Sequence, residues 1–349
     1  MSVFSRLYRG LTDFDFVGRR RRWFVLSASV LAIAVLAIVF RGFNRSVDFE
    51  GGVVVETVNT SGAQLSDYRD ALAGVGQQGA RVQLTGGGDG VRVQTAVLTP
   101  QQQTELIGVV ADAAGVDVEE VSEEAIGPTF GAQITKSAIR ALVVFLIVVV
   151  VFISWRFEWK MALAGIAALG HDLLITGGIY ALVGFEVTPA TVIAVLTILG
   201  YSLYDTVVVF DKVTEHIEDM GDRHPISDVV NVSMNQVLMR SLNTSLTSLL
   251  PVGSLLFVGS YLLGAATLRE FALALFIGIT AGTYSSIFVA SPLLAVWKER
   301  EQRWRTVRRR AARRAAVAHK EAETPTVEAV LPAATGATPR PPKRRRRRR

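Results

Sequence analysis

Six runs of mostly apolar residues divide this 349-residue chain, at 23–40, 138–155, 161–183, 187–210, 241–263 and 271–296. A bilayer core about 30 Å thick is crossed by about 20 residues of helix. Backbone groups in lipid must bond to each other, so runs of this length predict helices and not loops. The chain is therefore expected to be an α-helical polytopic membrane protein with six transmembrane helices. Half of its residues are hydrophobic and the mean hydropathy is +0.35, too apolar for a soluble chain of this size. The first run follows a basic lead-in, residues 1–22, and no small-residue cleavage site follows it. It reads as an uncleaved anchor and not as a secretory signal.

Charge sets the orientation. The lead-in carries Arg6, Arg9 and Arg19 to Arg22, and the 156–160 connection carries Arg156 and Lys160. The 211–240 loop has Lys212, Arg223 and Arg240, and the tail from Lys298 has 18 basic and 5 acidic residues. With six spans all four segments fall on one side, predicted to be the cytoplasm, with both termini there. On the other side, Phe43–Ser137 has 13 acidic and 5 basic residues.

That outer segment, 41–137 with its flanks, is the one place for a soluble domain. It reads as a strand SVDFEGGVVVETV, a helix SGAQLSDYRDALAGVG, strands ARVQLT and VRVQTAV about the turn GGGDG, a helix LTPQQQTELIGVVADAAG and a strand VDVEEVSEE. Thr99 is placed to cap the second helix, with Pro100 at its first position. The order β-α-β-β-α-β predicts a ferredoxin-like α+β domain between the first and second spans. Asp48 followed by Gly51 and Gly52 marks the entry to this domain and suggests a bulge or close backbone approach. Its scattered carboxylates read as a solvated acidic surface.

The most informative stretch is GYSLYDTVVVFDK, residues 200–212. An ionised side chain in hydrocarbon costs a few kcal/mol or more, so an intramembrane carboxylate is a functional candidate by default. At 1.5 Å per residue Asp205 lies ~27 Å from the outer end of its span, in the cytoplasmic third. Arg240 opens the fifth run from that same side at similar depth, close enough to pair if the two helices pack together. Asp172 lies ~17 Å into the third run, near the midplane. Thr206, Asn243 and Thr244 share the Asp205–Arg240 level and suit relay or water contacts. Burial favours the neutral carboxyl and a cation favours the charged one, so such a group can load and release protons. Each charge moved across the potential is worth ~2.3 kcal/mol per 100 mV. The competing readings are a static Asp–Arg pair that keeps two helices in register and, for Arg240 alone, an interfacial cation that snorkels.

Other features read as packing. Gly278 and Gly282 form GxxxG, which lets helices approach closely, and Gly200 is a third small contact residue. Thr283, Ser285 and Ser286 read first as packing too, with the lining of a water path as the alternative. Pro189, Pro251 and Pro292 start or kink helices, and Trp155, Trp159 and Trp297 stand where interfacial anchors belong. With no cysteine and four histidines, thiolate chemistry and disulfides are excluded, and no catalytic residue, cofactor or metal is expected.

GYSLYDTVVVFDK resembles the signature of the SecF family, the smaller partner of SecD in bacterial protein export. The likeness continues through VDFEGG, LGHDLLITGGIYALVGFEVTPATVIAVLTILGYS, RSLNTSLTSLLPV and FALALFIGITAGTYSSIFVASPLL, covering about 15–297 in order. The sequence departs from the family pattern at Tyr204, where Asn is usual, and at Lys212, where Arg is usual. The resemblance implies half of a proton-driven exporter, completed by SecD, that assists translocation through the SecYEG channel. It places Asp205 and Arg240 in a proton path within the bacterial cytoplasmic membrane. It further implies YajC or YidC as neighbours, and a translocating polypeptide delivered by SecA as substrate.

Two rival functions fit less well. An intramembrane aspartyl protease needs a GxGD motif in a following span, and the match here, Gly86 to Asp89, is in the outer domain. A small-molecule exporter of the same superfamily carries both halves on one chain. The 297–349 tail stands apart from the resemblance. It is expected to be largely disordered, with KEREQRWRTVRRRAARRAAVAHK as a basic helix along the inner leaflet. Its terminal PPKRRRRRR suits lipid headgroups or ribosomal RNA.

Overall fold

A computed structural model describes residues 14–262 and 266–323. Among these, six helices are long and apolar enough to cross a membrane. They are α1 (Arg20–Arg41), α4 (Pro128–Arg156), α5 (Trp159–Val183), α6 (Pro189–Met220), α7 (Ile226–Ser254) and the pair α8 (Ala266–Ser285) and α9 (Ser291–Glu299). Wider, π-type turns prolong α7 over Leu255–Leu262, just after Pro251, and join α8 to α9 over Ser286–Ala290. The Thr188 hydroxyl accepts from the Thr191 amide at 3.2 Å, and Pro189 sits in the first turn, fixing where α6 begins.

Between α1 and α4 stands the small domain. Strands β2 (Gly52–Val58), β3 (Arg81–Thr85), β4 (Gly90–Thr95) and β5 (Ser122–Ile126) form an antiparallel sheet in the order β3-β4-β2-β5. Helices α2 (Leu65–Gly74) and α3 (Pro100–Ala114) cover one face, which is the ferredoxin-like arrangement. Val53, Val55, Val82, Val91 and Val93 meet Tyr68, Leu72, Leu106, Val110 and Ala114 in the core. Thr99 caps α3 with Gln102, and Pro100 takes the first position.

Tyr68 is fully buried, and its hydroxyl donates to Asn59 Oδ1 at 2.8 Å. Burial, and then the charge of Asp67, raise its pKa above the ordinary 10.0. The folded domain thus favours the neutral phenol, a preference complete below the unfolded pKa and lost as pH climbs through the folded one. Thermal unfolding of the full chain should show the sheet domain weakening above pH about 10. Tyr68→Phe should remove that alkaline limb while costing about 1 kcal/mol at neutral pH.

Three local expectations need correcting. The stretch 46–58 is not one strand. Val47–Glu50 forms a helical turn that ends at Gly51 (φ 78°), and the strand starts at Gly52 (φ 147°). A Cβ on Gly52 would run into the Thr95 carbonyl, and one on Gly51 would lie 2.9 Å from Pro128 Cα, so both positions need glycine. Asp48 accepts from Ser46 Oγ at 2.9 Å within this turn. The last strand begins at Ser122, after a short turn of helix at Val118–Glu120. The 211–240 loop is mostly helix, because α6 runs on to Met220 and α7 begins at Ile226. The basic helix expected within 298–320 is present as α10 (Gln302–Glu323), which seats Trp304 and Val307 in the main core. The polar and poly-Arg remainder, 324–349, lies outside the described residues.

The domain is tied to the bundle by main chain and charge. Strand β1 (Asn44–Arg45) pairs in parallel with β6 (Glu186–Val187) from the α5–α6 connection. Arg92 of β4 lies 3.1 Å from Glu56 and 3.7 Å from Glu186.

Candidate functional site

Among the buried carboxylates of the described residues are Asp172 and Asp205, inside the bundle. Asp172 on α5 is completely enclosed. Its Oδ2 accepts from Ser202 Oγ of α6 at 2.5 Å and Ser285 Oγ of α8 at 2.8 Å. Its Oδ1 faces His171 Nδ1 at 3.2 Å. The His171 ring stacks on Tyr284, and its buried Nε2 has no partner among the described residues. Three helices thus converge on one midspan carboxylate.

Asp205 on α6 is 8% exposed. Its Oδ1 accepts from Ser241 Oγ of α7 at 2.6 Å, and its buried Oδ2 has no partner among the described residues. Beside it is a cleft of about 20 Å³ lined by Tyr201, Ser202, Tyr204, Thr244, Ser245 and Thr283, with Asp205 itself in the wall. That is room for one water among several hydroxyls. Ser202 belongs to both places: it lines this cleft and donates to Asp172. It stands three residues before Asp205, on the same face of α6.

The expected Asp205–Arg240 ion pair is absent, since no cation among the described residues lies within 4.0 Å of Asp205. Arg240 donates instead to the Tyr204 hydroxyl at 3.1 Å, at the exposed rim of the site. The physical reason is helical phase. Ser241 faces the Asp205 carboxylate, and Thr244 and Ser245 line the cleft, whereas Arg240 is turned about 100° from Ser241. The same geometry corrects two further expectations. Asn243 falls on an exposed face and does not line the cleft. Gly200 is exposed, and a Cβ added there would meet nothing within 4 Å, so it packs on no other helix of this chain.

Thr206 is buried at the Asp205 level and shares a hydrogen bond of 3.0 Å with Ser286 Oγ. Gly278 and Gly282 lie where α8 crosses α6: a Cβ on Gly278 would stand 2.5 Å from Ile198 Cγ1, and one on Gly282 3.1 Å from Ser202 Cβ. Ser285, read first as a packing residue with a water path as the alternative, is a direct donor to Asp172. Ser202, Ser241 and His171 escaped notice in the sequence. For Ser202 the signal was a small polar residue at helical spacing from a carboxylate, three residues before Asp205.

Six spans and one ferredoxin-like domain after the first of them define a multi-pass membrane protein, with buried carboxylates bonded to hydroxyls in its interior. Residues 107–300 match the family described as protein export membrane protein SecD/SecF, C-terminal. The chain is 44% identical to the protein translocase subunit SecF of Mycobacterium tuberculosis (strain H37Rv) over 324 residues, which are 90% of this chain and 73% of that one. It is 42% identical to the protein translocase subunit SecF of Streptomyces coelicolor, over 88% of this chain and 82% of that one. The crystal structure of SecDF, a translocon-associated membrane protein from Thermus thermophilus, matches with a TM-score of 0.75 and 35% identity. That match covers 83% of this chain and 39% of the SecDF chain. The chain belongs to the SecF family of protein-export membrane proteins.

Proposed function

We propose that this chain is the SecF subunit of a SecD–SecF complex that uses the proton motive force to assist polypeptide passage through the SecYEG channel. In this reading Asp205 is the proton carrier. The observation that carries it is the state of Asp205 itself. One oxygen is held by Ser241, and the other is buried beside a water-sized cleft with no partner among the described residues. A carboxylate so placed can accept a proton without breaking an existing bond at Oδ2. Ser202 then joins the cleft to Asp172, which serves as a second station toward the midplane. Arg240 acts from the rim through Tyr204, Thr244 adds its hydroxyl to the lining, and Thr206 stands behind it on Ser286.

The matched SecDF chain is more than twice as long, which supports a SecD half supplied by another subunit. The acidic outer domain and basic opposite end support cytoplasmic termini in a bacterial plasma membrane. YajC, YidC and SecA-delivered precursors are the further partners this placement suggests. The test is proton flux into vesicles holding the complex of this chain with its SecD partner, read by an internal pH dye. Flux should fall to background in Asp205→Asn. Flux equal to the unmodified complex would remove Asp205 as carrier.

A further inference from the structure

We propose that the groove between the start of α1, the end of α9 and α10 is a binding site for the phosphate headgroup of an anionic phospholipid. It does not rest on the proton-carrier reading. The groove, about 470 Å³, is lined by Arg20, Val296, Glu299, Arg300, Arg305, Arg308 and Arg309. Glu299 is its one carboxylate, and Arg20 already holds it at 3.1 Å. Among the described residues no carboxylate lies within ion-pair distance of Arg300, Arg305, Arg308 or Arg309.

These four guanidiniums are not gathered by chance of a floppy tail. Trp304 and Val307 are 2% and 3% exposed, so α10 is anchored against the bundle. Arg305, Arg308 and Arg309 follow the i, i+3, i+4 rule and share one face of that anchored helix. Fixed like charges repel, and an anion placed between them relieves the repulsion. A phosphate suits them because the guanidinium fork grips two of its oxygens at once.

Position favours lipid over nucleic acid. Arg20 and Arg300 stand at the ends of spans α1 and α9, where headgroups lie. Around the same first turn of α1, a second groove of about 730 Å³ is lined by Arg19, Arg21 and Arg22, then by Val25, Leu26 and Ser29. Val25 and Leu26 are 59% and 49% exposed. Charge that passes directly into exposed apolar surface matches a molecule with a headgroup and acyl chains. Basic pockets of this kind at span ends are known to take lipid headgroups.

The purified full chain in detergent is titrated with dispersed phosphatidylglycerol, phosphatidylcholine, inorganic phosphate and a single-stranded RNA oligomer, and bound molecules are counted by native mass spectrometry. The expected result is retention of phosphatidylglycerol in preference to phosphatidylcholine. Arg308→Gln with Arg309→Gln should weaken that binding roughly 30-fold, about 1 kcal/mol per arginine. Arg313→Gln with Arg314→Gln removes equal charge from α10 outside the groove and should leave it nearly unchanged. Equal loss in both double variants would reduce the effect to diffuse charge and overturn the site. So would phosphatidylcholine held equally well, or inorganic phosphate displacing the lipid at matched concentration. RNA binding lost in the Arg308/Arg309 variant, with lipid retention intact, would reassign the groove to nucleic acid.

Discussion

Cells whose only copy of this chain carries Asp205→Asn should accumulate unprocessed precursors of exported proteins, to the extent seen when the chain is deleted. The variant itself should reach the membrane at the normal level. The two halves of that expectation have separate physical grounds. Asparagine has the size and shape of aspartate, and its Oδ1 can still accept from Ser241 Oγ. The replaced oxygen, Oδ2, has no partner to lose among the described residues and a water-sized cleft beside it. Folding should therefore register the change weakly. What asparagine cannot do is gain and lose a proton, and the coupling of charge movement to a two-state cycle ends there. Asp205→Glu keeps the proton but pushes the carboxyl about one bond further into the cleft, so partial export is expected. Immunoblots of precursor and mature forms, with the level of the chain in the same membranes, decide it. Normal export in Asp205→Asn would make Asp205 a packing group and shift the search to Asp172 and the outer domain.

What the sequence could reveal here was depth, and what it could not reveal was direction around each helix. Counting residues from a span end put Asp205 and Arg240 at one level, and they are neighbours. Their helices are turned so that Ser241, one residue on, meets the carboxylate and Arg240 meets Tyr204. One residue is about 100° of helix, enough to exchange an ion pair for a hydroxyl. Asn243 and Gly200 failed for the same reason: right depth, wrong face. The six spans were legible because length and hydropathy alone dictate them. The sheet topology was legible because turns and caps such as GGGDG and Thr99-Pro100 punctuate it. The helical turn at Val47–Glu50 was not, because V-D-F-E alternates like a strand. Its conformation is set by Gly51 and Gly52, packed against Pro128 and Thr95 from elsewhere in the chain.

Gly278→Leu should reduce the folded chain in the membrane more severely than any loss of a single hydrogen bond in the polar core. The space a Cβ would need at Gly278 is filled by Ile198, with Cγ1 at 2.5 Å and Cγ2 at 2.6 Å. Ile198 is 3% exposed and β-branched, so both crowded atoms sit close to its backbone and χ1 has little freedom to move them aside. One turn further, Ser202 Cα stands 3.5 Å from the Cβ position of Gly282, so α6 cannot tilt to give room. Even alanine at 278 should cost about 1–3 kcal/mol by overpacking, and leucine more. The damage should also reach function, because α6 carries Ser202 and Asp205. A displaced α6 stretches the Ser202–Asp172 bond and reshapes the cleft, so export should fall in Gly278→Ala even with both carboxylates intact. The cause can be separated from a general intolerance of substitution by removing the colliding atoms. Gly278→Ala combined with Ile198→Ala should recover much of the protease resistance and export that Gly278→Ala loses alone, although Ile198→Ala by itself is destabilising. If the double variant is no better than the sum of its parts, the glycine is not there to admit Ile198. The close crossing of α6 and α8 would then have to be explained by something other than this contact.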